Sequence, residues 1–149
     1  MKKRGFTLIE LLVVIAIIGI LAAMALVALG GTRAKARDAN RKTDLRSIKS
    51  ALEVYYSDQK PNKYLVAGSA VEANAANTGL SSAYIKNVPS DPTMDEDTRE
   101  GAYMYLTDTG GANYAVFCIL ENTNDGDIKT DAPTAGALPS GYNYWVEND

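Results

Sequence analysis

The sequence predicts an α+β fold in which one long N-terminal helix packs on a small antiparallel β-sheet. An apolar run over 6–29 is followed by an amphipathic stretch over 32–58. Apolar and polar residues then alternate along 102–107, 113–121 and 142–146. Helical spacing that gives way to strand alternation is typical of a helix that covers one face of a sheet.

The apolar run is long enough to span a membrane. Between Phe6 and Leu29 only Thr7 and Glu10 are strongly polar. As a helix these 24 residues would extend about 36 Å, and a bilayer hydrocarbon core is about 30 Å thick. A secretory signal peptide has a shorter apolar part. Small residues at Ala22–Ala23 keep that alternative open, as does an uncleaved signal anchor.

The stretch over 32–58 predicts a continuing helix with one apolar face. Its apolar stripe comprises Leu45, Ile48, Leu52, Tyr55 and Tyr56. Pro61 and Asn62 are expected to end the helix. Beyond it, 70–76 predicts a short helix within an otherwise irregular region that extends to residue 101.

Charge divides the chain into two regions. Residues 1–50 carry ten Lys/Arg and three Asp/Glu, a net charge of +7, whereas 51–149 carry five and fifteen, a net charge of −10. This asymmetry predicts a basic segment over 33–49 beside lipid headgroups and a solvated acidic domain. By the positive-inside rule, the basic residues after the apolar run would favour a cytoplasmic C-terminal domain.

Composition excludes several kinds of chemistry. The chain has no histidine, which removes serine–histidine and cysteine–histidine catalysis and any His-based zinc site. Its one cysteine, Cys118, permits no intrachain disulfide and is predicted to be buried in a strand. The basic stretch lacks interleaved aromatics, so no nucleic acid is predicted as a direct partner. We therefore predict no enzymatic activity.

The N-terminal residues carry a specific motif. The run Lys2-Lys3-Arg4-Gly5-Phe6-Thr7-Leu8-Ile9-Glu10 resembles the leader and cleavage site of type IV prepilins and type II secretion pseudopilins. The resemblance implies that a prepilin peptidase cuts after Gly5 and methylates the new amine of Phe6. It also implies that Glu10 neutralises the N-terminal amine of a neighbouring subunit, since opposite charges attract strongly in a dry helical core.

The resemblance also implies an organisation and a location. Residues 1–5 are the leader, 6–31 the membrane-spanning and filament-core helix, and 32–149 the amphipathic helix and globular pilin head. The head lies outside the inner membrane before assembly, in contrast to the positive-inside rule. The subunit then joins a homo-oligomeric filament at the cell surface or in the periplasm. Prepilin peptidase, an assembly platform, other pilins and membrane lipid are the implied partners.

The residues and the resemblance together leave three possible functions. The main hypothesis is a structural subunit of a type IV pilus-like extracellular filament. The first alternative is the major pseudopilin of a type II secretion system, whose loop between helix and sheet is similar to residues 80–92. The second alternative is a membrane-anchored binding module that never polymerises, which would need neither Gly5 nor Glu10.

An acidic, turn-rich segment over 121–131 is a candidate calcium site. Asp125, Asp127 and Asp131 supply the hard oxygen ligands that calcium prefers. The segment resembles an acidic C-terminal loop that binds calcium in the major pseudopilin. Ala132 stands where an EF-hand would have its closing glutamate. A solvated loop without any cofactor is the alternative.

Overall fold

The computed structural model describes residues 6–95, 97–98 and 100–148. The predicted leader, residues 1–5, lies outside the described residues, and this includes Gly5 of the predicted cleavage site. The elements in chain order are α1 (Leu8–Asp58), β1 (Val71–Glu72), α2 (Ala75–Thr78), β2 (Met104–Thr107), β3 (Tyr114–Cys118) and β4 (Tyr144–Glu147). A long helix and a four-stranded antiparallel sheet confirm the predicted α+β class.

Helix α1 joins both predicted helical segments into one element. It has 51 residues, which corresponds to a length of about 77 Å. Gly30 and Gly31 lie inside it, although each glycine weakens a helix by about 1 kcal/mol relative to alanine. The helix ends at Asp58, two residues before Lys60. A residue that precedes proline, as Lys60 precedes Pro61, disfavours the helical conformation.

The sheet has the strand order β1-β2-β3-β4, so β1 and β4 are its edges. The central pair β2–β3 is antiparallel and aligns Met104 with Phe117 and Thr107 with Tyr114. Strands β2, β3 and β4 lie at the three predicted positions. Strand β1 was not predicted.

The predicted short helix over 70–76 is wrong in its first half. Val71 and Glu72 pair with Tyr105 and Met104 at the edge of the sheet. Helix α2 begins only after Asn74, whose side chain accepts a hydrogen bond from the backbone N–H of Asn77 at 3.0 Å. Pairing with β2 therefore overrides the helical preference of the alanine-rich segment.

The main core lies between α1 and the inner face of the sheet. Leu45, Ile48 and Leu52 are fully buried, as the apolar stripe predicts. They pack in one cluster with inner-face residues of the strands, among them Tyr105 and Val116. Complete burial of a leucine or isoleucine side chain contributes about 1.5–3 kcal/mol, so this stripe holds the head on the helix.

The outer face of the sheet is also covered. Phe117 and Trp145 are 0% and 2% exposed, and they cluster with Leu106, Ala115 and Ala135. Leu138 and Tyr142 from the loop before β4 pack against this second cluster. Both faces of the sheet are thus buried, one by the helix and one by a loop.

Gly111 allows the β2–β3 turn to pack closely against the segment that follows α1. Its φ of +69° lies in the left-handed region, and an added Cβ would be 2.7 Å from the carbonyl oxygen of Tyr64. The Tyr64 N–H donates to the Gly111 carbonyl at 2.8 Å.

We expect Gly111→Ala to lower the free energy of unfolding by about 2 kcal/mol or more, through backbone strain and the clash with Tyr64. Urea unfolding of the full chain in a non-ionic detergent, followed by circular dichroism, measures the change. Gly68→Ala is the matched control, because its Cβ would meet nothing within 4 Å. Equal effects of the two substitutions would contradict the assigned role of Gly111.

Candidate assembly surface and its anchor in the head

The N-terminal part of α1 extends away from the head with its apolar side chains exposed. Every residue from Phe6 to Leu26 is exposed, and Leu8 keeps 85% of its surface. Helix α1 is long and apolar enough to cross a membrane, a test that a signal sequence also passes. We call residues 6–26 the apolar segment. It contributes nothing to the described core, so its sequence is explained by surroundings outside the subunit.

Thr7 and Glu10 form a capping box at the start of the apolar segment. The backbone N–H and the hydroxyl of Thr7 each donate to Oε2 of Glu10 at 2.8 Å. In return the Glu10 N–H donates to the Thr7 hydroxyl at 3.2 Å. The two side chains therefore satisfy the backbone N–H groups of Thr7 and Glu10, which would otherwise lack a partner.

Phe6 lies just before the capping box, outside the helix and 80% exposed. Cleavage after Gly5, methylation of Phe6 and pairing of Glu10 with a neighbouring amine stay predictions.

A buried arginine joins α1 to the head. Arg41 has 2% of its side chain exposed, and its guanidinium binds three carboxylates. Asp91 takes a bidentate pair of hydrogen bonds at 2.6 and 3.0 Å, while Nη1 donates to Asp38 and Glu121 at 2.7 Å each. Thr93 accepts a further bond from Nη2 at 2.7 Å. We call this group the Arg41 cluster.

Asp38 extends the cluster to the backbone after β3. Its two carboxylate oxygens accept from the N–H groups of Glu121 and Asn122 at 3.0 and 2.9 Å. One turn of α1 therefore fixes both the loop after β3 and the loop that contains Asp91. Chain segments about 50 and 80 residues apart in sequence meet at this point.

The cluster keeps Asp91 and Glu121 ionised. Hydrogen bonds from Arg37 and Arg41 lower the pKa of Glu121 to about 2, against the opposing effect of burial. Burial alone would raise the pKa of Asp91, but the bonds from Arg41 and from the Thr93 backbone outweigh it and the pKa is lowered. These carboxylates remain charged partners of Arg41 at neutral pH.

The Arg41 cluster corrects the prediction that 33–49 is a basic face turned towards lipid headgroups. Arg33 and Lys35 are exposed and agree with that prediction, but Arg41 is buried. The sequence does contain the relevant signal. Residues 38 and 41 continue the 3–4 spacing of the stripe at 45, 48 and 52, which places them on the buried face of the helix.

The acidic segment after β3 is held by a lysine. Nζ of Lys42 is 2.6 Å from Oδ1 of Asp125 and 2.7 Å from Oδ2 of Asp127. Asp131 is exposed. Among the described residues, no three His, Cys, Asp or Glu side chains are grouped so that they could hold a metal ion. Calcium binding by Asp125, Asp127 and Asp131 therefore stays a prediction.

Cys118 is buried at the end of β3 and belongs to the main core cluster, which confirms its predicted environment. Burial raises the pKa of its thiol to about 12. The thiol therefore stays protonated at neutral pH and behaves as a small apolar side chain.

Comparison with known proteins agrees with the capped apolar helix and the small sheet. The prokaryotic N-terminal methylation motif matches residues 1–26. Type II secretion system core protein G of Escherichia coli strain K12 is 39% identical over 98 residues, which covers 61% of this chain and 67% of that protein. The same-named protein of Vibrio cholerae is 29% identical over 138 residues, or 88% and 89% of the two chains.

A shorter match extends to a pilus protein. The type IV major pilin protein PilA of Myxococcus xanthus is 41% identical over 58 residues, covering 39% of this chain and 26% of PilA. No solved structure gives a significant match.

The fold and the capped apolar helix define the class of pilin-like subunits, which anchor through an N-terminal helix. The chain belongs to the family of type IV pilins and type II secretion pseudopilins.

We expect Arg41→Met to lower the free energy of unfolding by about 3–5 kcal/mol, because it leaves the carboxyl groups of Asp38 and Asp91 buried without their cation. Denaturant unfolding of the full chain in detergent measures the loss. Arg46→Met, at an exposed position on the same helix, is the control and should change stability by less than about 0.5 kcal/mol. A small effect at Arg41 would show that the cluster does not anchor the head.

We expect calcium to stabilise Lys42→Met more than the natural chain. The substitution removes the ammonium group that now occupies the space between Asp125 and Asp127. Calcium at about ten times its Kd would add about 1.4 kcal/mol to stability. Thermal unfolding with calcium and with magnesium as the control measures the effect. An equal response of the natural chain would show that calcium binds without displacing Lys42.

Proposed function

We propose that this chain is the structural subunit of a type IV pilus-like filament, cut after Gly5, methylated on Phe6 and assembled through its apolar segment. The observation that carries the proposal is the exposure of that segment along its whole described length. Soluble monomers rarely expose contiguous apolar patches larger than a few hundred Å². Lipid would cover the segment in the membrane, and the helices of neighbouring copies would cover it in the filament.

Glu10 would set the register of this packing. A carboxylate within an apolar helix is costly unless it gains a partner. In the free chain it caps its own helix through Oε2. Our proposal assigns its other oxygen, Oε1, to the methylated amine of Phe6 in a neighbouring copy. A copy displaced along the filament would leave both charges buried and unpaired.

Among the filaments of the family, the head favours the pseudopilus of type II secretion. Similarity to the core protein G of Vibrio cholerae covers 88% of this chain and therefore includes the head. Similarity to PilA covers 39%. The N-terminal helix is common to both kinds of filament, so the extent of the match over the head is the observation that supports the pseudopilus. An extracellular pilus is the second candidate, supported by the PilA match.

The proposed organisation has a leader over 1–5, a membrane and filament-core helix over 6–31, and the remaining helix with the head over 32–149. The head would lie outside the inner membrane before assembly. A prepilin peptidase, an assembly platform and other pilins would be its partners. The role is structural and not enzymatic, which agrees with the absence of histidine from the sequence.

We expect Glu10→Ala to reduce assembled filament at least about tenfold, because the neighbouring amine would lose a partner worth about 3–5 kcal/mol in a dry environment. The measurement is the amount of subunit in sheared surface material and in membranes of the host, with intact mass and N-terminal sequencing of each fraction. The processed natural chain should begin with N-methylated Phe6.

Asp58→Ala at the far end of the helix is the matched control and should assemble normally. Accumulation of processed Glu10→Ala subunit in the membrane would separate a defect of assembly from one of cleavage. A chain that begins at Met1 or near Ala23 would refute the proposal. Normal assembly of Glu10→Ala would instead show that the amine is paired elsewhere, whereas a natural chain that forms no filament would favour a membrane-anchored binding module.

A further inference from the structure

We propose that a basic cleft beside β4 receives the acidic loop of a second copy of this chain. The basic cleft lies between α1, at Arg46 and Lys49, and β4 with the loop over 126–129. The acidic loop comprises residues 91–95, 97–98 and 100–101. The inference rests on the proposed function and adds a contact between heads to the packing of N-terminal helices.

The cleft has a volume of about 710 Å³ and carries three cationic side chains, those of Arg46, Lys49 and Lys129. Arg46 is exposed at its rim. Nζ of Lys129 lies 4.7 Å from the centre of the Trp145 ring, which holds that charge in place. The cleft therefore presents positive charge on both of its sides.

Two carboxylates also line the cleft, and both have partners within the chain. Asp127 is paired with Lys42 at 2.7 Å. Glu147 accepts a hydrogen bond from the Thr134 N–H at 2.7 Å. With three cations against two carboxylates, the lining of the cleft carries a net charge of +1.

Strand β4, which is an edge of the sheet, lines the cleft. Strand β4 pairs with β3 on one side and lies last in the strand order. An edge strand presents backbone N–H and C=O groups that an incoming chain can bond. Carboxylates are well suited to such a site, because they accept from N–H groups as well as from Lys and Arg.

The acidic loop supplies matching groups in a preformed shape. Asp95, Asp97 and Glu100 are exposed. Oδ1 of Asp95 accepts from the N–H groups of Asp97 and Thr98 at 2.9 and 2.7 Å, and the Asp95 N–H donates to the Glu100 carbonyl at 3.1 Å. The bond between Asp91 and Arg41 ties the loop to α1. A preorganised loop loses little conformational entropy on binding.

The loop and the cleft are formed by different residues of the head. The loop leads into Tyr103, whose carbonyl accepts from the Ala73 N–H at 2.8 Å beside β1. The cleft follows β4. A contact between two different surfaces is heterologous, and repetition of such a contact gives an open helical filament when the rotation does not close a ring. A second copy is therefore the occupant that fits both charge and position.

A charge exchange in the full chain, expressed in its host, tests the contact. We expect Arg46→Glu and Asp97→Arg each to reduce assembled filament about tenfold, because each places like charges together, and the double variant to recover most of the loss. Detergent-solubilised subunits should keep the thermal stability of the natural chain, since both positions are exposed. Normal assembly of either single variant, or no recovery in the double variant, would overturn the inference.

Disulfide cross-linking provides an independent readout. Arg46→Cys combined with Asp97→Cys should give a ladder of cross-linked oligomers in oxidised filaments. Cys118 does not interfere, because it is buried. Ser57→Cys with Asp97→Cys is the control pair. Filaments without a ladder above this control would overturn the head contact and leave the proposed function intact. A natural chain that forms no filament would overturn both.

Discussion

The buried guanidinium of Arg41 is the interaction on which the subunit's shape depends. It ties one turn of α1 to Asp91 in one loop and to Glu121 in another. A buried charge is tolerated only when its N–H groups are matched by acceptors, and three carboxylates and a hydroxyl supply them here. The direction in which the apolar segment leaves the head follows from this cluster together with the apolar stripe at 45, 48 and 52.

One continuous helix therefore serves two surroundings. Its second half is a half-buried helix of a small globular domain, with its stripe against the sheet. Its first half has no packing partner within the described part of the subunit, and its side chains suit lipid or other helices. The transition falls near Gly31, where the helix continues without buried neighbours. The head supplies the stability of the subunit, and the apolar segment supplies the capacity to assemble.

Part of the positive charge of the N-terminal half is used in ion pairs with carboxylates of the same head. Arg37, Arg41 and Lys42 neutralise carboxylates of their own head, so part of the basic stretch is not available to lipid or to other copies. Arg33, Lys35 and Arg46 remain exposed. The acidic loop and the basic cleft are two charged surfaces that the head presents outward. The same electrostatics thus operates within the subunit and, in our proposal, between subunits.

The sequence by itself determined the α+β class, the apolar helix, the motif around Phe6 and Glu10, and three of the four strands, because these depend on local periodicity and contiguous residues. Strand β1, the Arg41 cluster and the pairing of Lys42 with Asp125 and Asp127 were decided only by the tertiary structure. Each of these joins segments that lie far apart in the chain. A two-residue strand exists only because β2 pairs with it. An arginine on a basic helix becomes buried only because a distant loop brings carboxylates to it, and periodicity alone carries no information about such partners.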